Sequence, residues 1–586
     1  MTRSGERSAL DPDPVPVHHR LRELLARHPE GPLPKAEIVA IRKSLSPPPQ
    51  VRSAQPPSDF ESRKQARRAA SARLAAIING TNLNAPSGLR DLGDRLRAAP
   101  GDCGRRFLFP DDLHLSHSAA SAIASHLLRT GTTGIELTVG LNLASDAGAE
   151  VDAVILREVA LLGRSYAFGA VAALSRAAGA AQDLYWVLRR IPDPERQMIA
   201  SEFGSLPQEA VGELLETLAT AEAVSMVLAL ADLRPVPELL RDNARIRELL
   251  TAVSADPGLL APGPSGRVGL VRLWDEVRYG GCALLGFAPG ERAAVAGGFC
   301  AALADPGVLA EVERALEKRP ADSELIWLRQ QVEEARTGRP AFSPGLALQV
   351  WVPPPSTHRE PELHVVVDGE PLATSWFGRG HPHPPENVLD RGPGLRGAAE
   401  PIDIRLSEAD CVEECCGAFR AHIYRDESAG TVVWEVRDTE RPSQTRRFSF
   451  DSEDYDAELD RAIADRTWTW PARRAARLLR ERLQAEPELL GRWKCRRGWI
   501  NSSNRDRGVL EFTFTYPEED LKPERPWLQF KRLIEIPDAF EVDDRAVAAT
   551  VNGFIAMLRT TDPKTVSTVV GGSRKSAEEL GFPWPG

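Results

Sequence analysis

Long hydrophobic runs are missing from this sequence. Its most apolar stretch, near residues 221–230, is short and bounded by charge, well under the roughly 20 residues needed to cross a bilayer. No membrane span is therefore expected. The opening MTRSGERSALDPDPVPVHH has neither an apolar h-region nor a small-residue cleavage site, so no secretion signal is expected either. Cysteine is scarce: seven residues, an odd count, unevenly placed along 586 positions. That argues against a disulfide framework and for reduced thiols in the cytoplasm. An excess of positive charge is also missing. A net charge of -10 does not suit a protein that coats nucleic acid, because neutralising phosphates takes clustered Lys and Arg. Nor does the chain contain a G-x-S-x-G elbow, an H-E-x-x-H helix or a kinase motif set. No catalytic residue is assigned.

The length exceeds what one core serves, so about two or three domains are expected. The 42% hydrophobic and 27% charged fractions are those of a globular chain. Residues 1–57 hold two Pro-rich polar segments, around Asp11–Pro14 and Ser46–Ser58, which cannot order themselves as a core. This stretch reads as a largely disordered arm, loosely attached and docking through two amphipathic pieces near Leu21–Leu25 and Ala36–Ile41. Residues 58–117 bring a basic helix with Arg63, Lys64, Arg67, Arg68 and Arg73. A solvated charged face explains it better than nucleic-acid contact does, although such contact through Arg63–Arg73 stays an option.

From residue 118 to 339 apolar residues recur at helical spacing. Val154, Ile155, Val159, Leu161 and Leu162 form one stripe, and Phe168, Val171 and Leu174 the next. Leu184, Val187, Leu188 and Ile191 follow, then Val211, Leu214, Leu215 and Leu218, then Val224, Val227, Leu228 and Leu230. Each run lasts about three turns, and Gly, Pro and Asp punctuate between them. Alternate helices fall about 30–40 residues apart, near the spacing of HEAT-like repeats. The fold class is accordingly mainly α: an irregular HEAT-like α-solenoid followed by a smaller α+β module on an antiparallel sheet.

That module is expected over 340–540. Leu346–Val352 and Leu363–Thr374 alternate as strands do, with Asp368-Gly369 placed as a hairpin turn. Further strands are expected at Ile402–Leu406, Ala418–Tyr424, Val432–Val436, Arg447–Phe450, Val509–Tyr516 and Trp527–Ile536. Helices are expected near Tyr455–Ile463 and Pro471–Leu483. Residues 541–586 read as a helix, Arg545–Leu558, and a polar tail.

The densest candidate chemistry is Cys411, Cys415 and Cys416 with Cys495. Four thiolates could close a tetrahedral structural zinc site, with His422 able to replace one. The C-x3-C-C spacing departs from paired C-x2-C knuckles, and buried free cysteine is the competing reading. Acidic neighbours Asp410, Glu413 and Glu414 would raise the thiol pKa values, which disfavours an activated nucleophile. His381 and His383, like His114 and His117, lack a third ligand at metal spacing along the chain and read as surface-loop residues. Gly392–Gly397 matches G-x-G-x-x-G as a string, but Pro393 removes a backbone N–H from the phosphate cradle. Gly571–Ser576 has the wrong spacing for a P-loop. Trp468, Trp470, Trp493 and Trp499 beside Arg473, Arg474, Arg496 and Arg497 read as a Trp-rich core edge with Arg stacked over it, ahead of a nucleic-acid or phosphopeptide surface.

The segments ELHVVVDGEPLATSWFGRGHPHPPENVLD, ADCVEECCGAFRAHI, WTWPARRAARLLRERL and LLGRWKCRRGW resemble a family of uncharacterised proteins from high-GC bacteria in which HEAT-like helical repeats precede such a module. The resemblance spans about Leu346–Trp499. It implies an architecture and supplies no catalytic residues. The function expected on these grounds is a non-enzymatic interaction scaffold whose partner is another protein. The alternatives are a zinc or redox protein built on the cysteines, and an enzyme with a loop-assembled site such as His381–Asn387 facing Asp390.

Overall fold

A computed structural model describes residues 15–29, 31–45, 60–83, 85–99, 113–146, 148–191, 199, 202–203, 206–231, 243–260, 263–337, 342, 344–357, 359–378, 380–390, 395–409, 417–518, 525–538 and 543–585. The contacts divide the chain into two compact units, 1–239 and 240–586. The change of sequence character at residues 339 and 340 falls inside the second unit.

The first unit is helical. Between residues 117 and 231 its helices run over His117–Thr130, Gly134–Ser145, Ala153–Ala160, Arg164–Leu174, Ala180–Arg190, Gln208–Thr217 and Thr220–Ala231. Local chemistry sets their ends. The Ser116 side chain accepts from the Ala119 N–H, and Asp152 accepts from Val154, removing donors that a helix start leaves unpaired. The buried Glu136 carboxylate accepts the Thr133 N–H at 2.9 Å and pairs with Arg97 at 2.5 Å. Gly163, at φ +70°, turns the chain between two helices where a side chain would be strained. Each helix packs on its successor or on the next but one. His117–Thr130 meets Gly134–Ser145 and Ala153–Ala160; Gly134–Ser145 meets Arg164–Leu174; Ala153–Ala160 meets Ala180–Arg190, which meets Gln208–Thr217.

Two described stripe residues are exposed instead of buried, and Leu218 is half-buried. Val154 is 39% exposed and Phe168 is 53% exposed. The buried face of Arg164–Leu174 is instead Ala167, Ala170, Val171 and Leu174, a clean i, i+3, i+4, i+7 stripe in which alanines stand where Phe168 was expected.

The two amphipathic pieces of the arm are helices, Val17–Arg27 and Lys35–Ser44, and they are firmly packed rather than loosely attached. Val17, Leu21, Leu24 and Ile38 are buried, His18 Nε2 lies 2.6 Å from Glu158, and Leu33 N–H donates to Arg190 O at 2.8 Å. Short helices gain their stability from such docking, which composition does not reveal. The Pro-rich segments 1–14 and 46–59 lie outside the described residues. The basic segment is helical over Phe60–Asn79 and buries Ala70, Leu74 and Ile78; the side chains of Arg63, Lys64 and Arg67 are also outside the described set.

In the second unit, helices Ala244–Ala255, Pro264–Arg278, Glu291–Leu303, Pro306–Lys318 and Ser323–Arg336 precede three antiparallel sheets. The first sheet joins β1 (Leu346–Trp351), β2 (Glu362–Val367) and β3 (Glu370–Pro371). Asp368 and Gly369, both at positive φ, make the expected hairpin turn. The second sheet runs in order through β4 (His381–Pro382), β5 (Ile402–Glu408), β6 (Ala418–Asp426), β7 (Thr431–Asp438) and β8 (Thr445–Asp451). The third, β9 (Arg496–Asn501), β10 (Val509–Tyr516), β11 (Leu528–Glu535) and β12 (Thr568–Gly572), has the order β12-β11-β10-β9. Helix Ser452–Ala464 packs on β1, β7 and β8, and helix Pro471–Ala485 packs on β9, β10 and helix Asp544–Thr560.

Several elements go beyond the sequence expectation, among them β4, β9, β12 and helix Arg574–Leu580. β4 is only two residues long, and β9 (RRGWIN) buries only Ile500, so neither shows alternation. In the tail, β12 and helix Arg574–Leu580 form where a polar end was expected. Ser573 caps that helix by accepting from Ser576 N–H, which accounts for the P-loop-like string. Among the described residues no single helix is long and apolar enough to cross a membrane.

Candidate functional site

Cys411, Cys415 and Cys416 lie outside the described residues. Cys495 is 1% exposed; its thiol donates to Trp493 O at 3.4 Å, and Lys564 Nζ sits 3.8 Å from the sulfur. Burial pushes its pKa up to about 11, against the smaller opposing pull of Lys564, so the thiol is protonated at neutral pH. His422 stands on β6 between Asp403 and Glu435, with its ring edge-on to Tyr424. Among the described residues no group of three or more His, Cys, Asp or Glu is placed to hold a metal ion.

The histidines of the GHPHPP segment have carboxylate neighbours that spacing along the chain could not reveal. β4 brings His381 Nδ1 to 3.5 Å from Glu362 on β2, and His383 Nε2 lies 3.9 Å from Glu408 on β5. Glu362 is buried, accepts from Arg359 at 3.0 Å and lies 3.3 Å from His364 Nε2. His364 in turn stacks on Tyr279 with centroids 4.9 Å apart. Burial lowers the pKa of His383, outweighing the Glu408 charge. His117, in contrast, is an exposed residue 3.8 Å from Glu150, and His114 donates its backbone N–H to Asn79.

A second polar group joins the helices of this unit to its first sheet. The Trp351 indole donates to Asp275 Oδ2 at 2.8 Å, and Arg278 donates to Gln349 at 3.1 Å. Tyr279 also donates its hydroxyl to Gln349. Arg292 reaches the Val277, Arg278 and Gly369 carbonyls, each at 2.8 Å. Burial pushes Asp275 up to about 8 despite Arg278 nearby, so its carboxyl is largely neutral at pH 7. These groups hold elements together inside the unit.

A cleft of about 390 Å³ with convergent polar groups lies beside helix Pro471–Ala485, lined by arginines and by Trp468. Its floor is tight. Arg473 forms a two-pronged pair with Glu386, at 2.6 and 2.8 Å, and reaches Glu360 at 2.9 Å. Burial alone would raise the Glu386 pKa, but the Arg473 charge and hydrogen bonds outweigh it and hold the carboxyl below its usual range. Arg473 lies 4.9 Å over Trp470, and Arg507 lies 4.6 Å over the same ring. Trp468 and Trp470 are thus buried beneath stacked arginines, Trp493 is half-buried and donates to Leu558 O, and Trp499 is 56% exposed. Arg466, Arg474 and Arg477 also line the cleft. Arg466 and Arg477 lie 3.5 and 3.7 Å from Asp390, Arg474 lies 3.3 Å from Asp544, and Arg477 lies 3.0 Å from Glu481.

Together these features define a mainly helical protein with an antiparallel α+β region that carries an arginine-lined cleft. The chain matches no protein-family model, no curated protein and no solved structure.

Proposed function

We propose that this chain is a non-enzymatic scaffold that binds another protein in the cytoplasm, built as an irregular HEAT-like α-solenoid followed by an α+β module. The observation that carries the reading is the stacking of helices between His117 and Thr217, each on its successor or the next but one. Such stacking supports reading these helices as a quasi-one-dimensional repeat, whose extended surfaces suit protein partners. The resemblance of the 346–499 region to a family with HEAT-like repeats points the same way. Phe168, exposed on helix Arg164–Leu174, is an apolar side chain available to such a partner. The buried carboxylates and imidazoles of the second unit support the same reading, because they engage neighbours within the fold.

The test begins with cross-linking of the full-length chain in its host cell and identification of the cross-linked protein. The complex is then rebuilt from the two purified components. A defined complex weakened about tenfold by Phe168→Glu supports the proposal. Failure of the purified proteins to associate, or equal affinity of the variant, sinks it.

A further inference from the structure

Arg466 enters the cleft from the loop after helix Ser452–Ala464, while Arg474 and Arg477 enter from helix Pro471–Ala485. Their contacts differ in kind from those of Arg473 beneath them. Arg466 and Arg477 share one carboxylate, Asp390, at 3.5 and 3.7 Å. Arg477 also meets Glu481 along its own helix at 3.0 Å. Arg474 meets Asp544 at 3.3 Å, and that carboxylate is 86% exposed. Arg474 and Arg477 pair with exposed carboxylates, Asp544 and Glu481 at 86% and 57%, and such pairs are held weakly. Arg466 and Arg477 share a largely enclosed carboxylate, Asp390 at 18%, so two positive charges face a single negative one there.

We infer that this cleft is a binding site for a small molecule carrying a phosphate group, with Arg466, Arg474 and Arg477 as the donors. Guanidinium forks pair with phosphate oxygens through two parallel hydrogen bonds. Three forks arriving from two elements suit a tetrahedral anion better than a planar carboxylate. The cleft volume, about 390 Å³, lies at the lower end of small-molecule sites. Glu481 and Asp544 at the rim disfavour a long polyanion, which would have to pass them. Arg473 is a positioning residue: its pairs with Glu386 and Glu360 fix the start of the helix that presents Arg474 and Arg477. This inference does not depend on the scaffold reading.

Isothermal titration of the full-length chain at low salt with inorganic pyrophosphate tests it, with citrate as the carboxylate comparison. One saturable site per chain is expected, weakened about tenfold or more in Arg466→Gln/Arg477→Gln. Asp390→Asn should strengthen binding, because it removes the carboxylate that competes for both guanidiniums. A misfolded variant loses binding, so a gain in Asp390→Asn separates the site from a folding effect. No saturable binding up to about 10 mM overturns the inference, as does equal affinity in all three proteins. Citrate binding as tightly as pyrophosphate overturns the phosphate assignment.

Discussion

The two units bury different kinds of side chain. Up to residue 239 the core is aliphatic, with Leu74, Leu127, Val139, Leu143 and Val159 among its fully enclosed members. Beyond it large aromatic and charged side chains join the aliphatic ones: among the largest fully buried side chains described, only Phe203 belongs to the first unit, while Trp274, Trp327, Trp434, Trp470 and Arg507 belong to the second. Aliphatic stripes are tolerant, since any side chain of similar volume fills the same space. Buried arginines and indoles are exacting, because each needs a partner in one place. The first unit thus relies mainly on aliphatic stripes, with buried pairs such as Arg97–Glu136 as additions, and the second relies more on matched pairs.

Breaking a matched pair should have the largest effect. Arg473→Ala strands Glu386 and Glu360 beside a buried cavity and should cost about 3–5 kcal/mol, read by urea unfolding followed through tryptophan fluorescence. Arg473→Met with Glu386→Gln should recover most of that. A single-variant cost below about 1 kcal/mol would remove the contrast between the units.

The aliphatic counterpart is Leu127→Ala, inside the cluster formed by Leu74, Leu92, Ile123 and Val139. A loss of about 2–4 kcal/mol is expected, seen as faster hydrogen exchange in peptides from 117–145. Leu127→Met should cost little, which is the tolerance that a matched pair lacks.

Asp275 gives the second unit a pH dependence. Its folded pKa of about 8 lies above the unfolded value of about 4. The folded state therefore keeps a proton that the unfolded chain releases. The stability linked to this group is greatest below pH 4, falls as pH rises and levels off above about 8. Asp275→Asn keeps an acceptor for Trp351 and should stabilise the protein by about 1–3 kcal/mol at pH 8 and negligibly at pH 4. Equal effects at both pH values in thermal melts would show that Asp275 is charged in the fold. The smallest effects are expected at the exposed aromatics: Phe168→Ser and Trp499→Ser should each shift stability by under about 0.5 kcal/mol, which calorimetry of both variants would check.

Legibility follows the same contrast. The helices between Ala153 and Ala231 could be read from period and punctuation because their signals lie within a few turns. The β2–β3 hairpin could be read because Asp368-Gly369 states its own turn. At Phe168 the stripe was misplaced at one edge: Val171 and Leu174 are buried as expected, but Ala167 and Ala170, which carry little hydrophobic signal, complete the face in place of Phe168. The histidines were visible and their partners were not: Glu362 and Glu408 reach His381 and His383 from other strands. The cleft gave a partial signal. Trp beside Arg was evident in WTWPARR, but its fixed floor depends on Glu386, 87 positions before Arg473.

By itself the sequence determined the kind and order of most elements, the punctuation between helices, and the change to strands near residue 340. Those properties depend on residues a few positions apart, through backbone geometry and helix or strand period. Tertiary structure alone decided where the arm helices dock, that Asp275 is buried against Trp351, and that three arginines line a cleft beside a fourth that is locked in place. Burial and electrostatic partnership depend on which distant segments become neighbours, and that information lies in the packing of the whole unit.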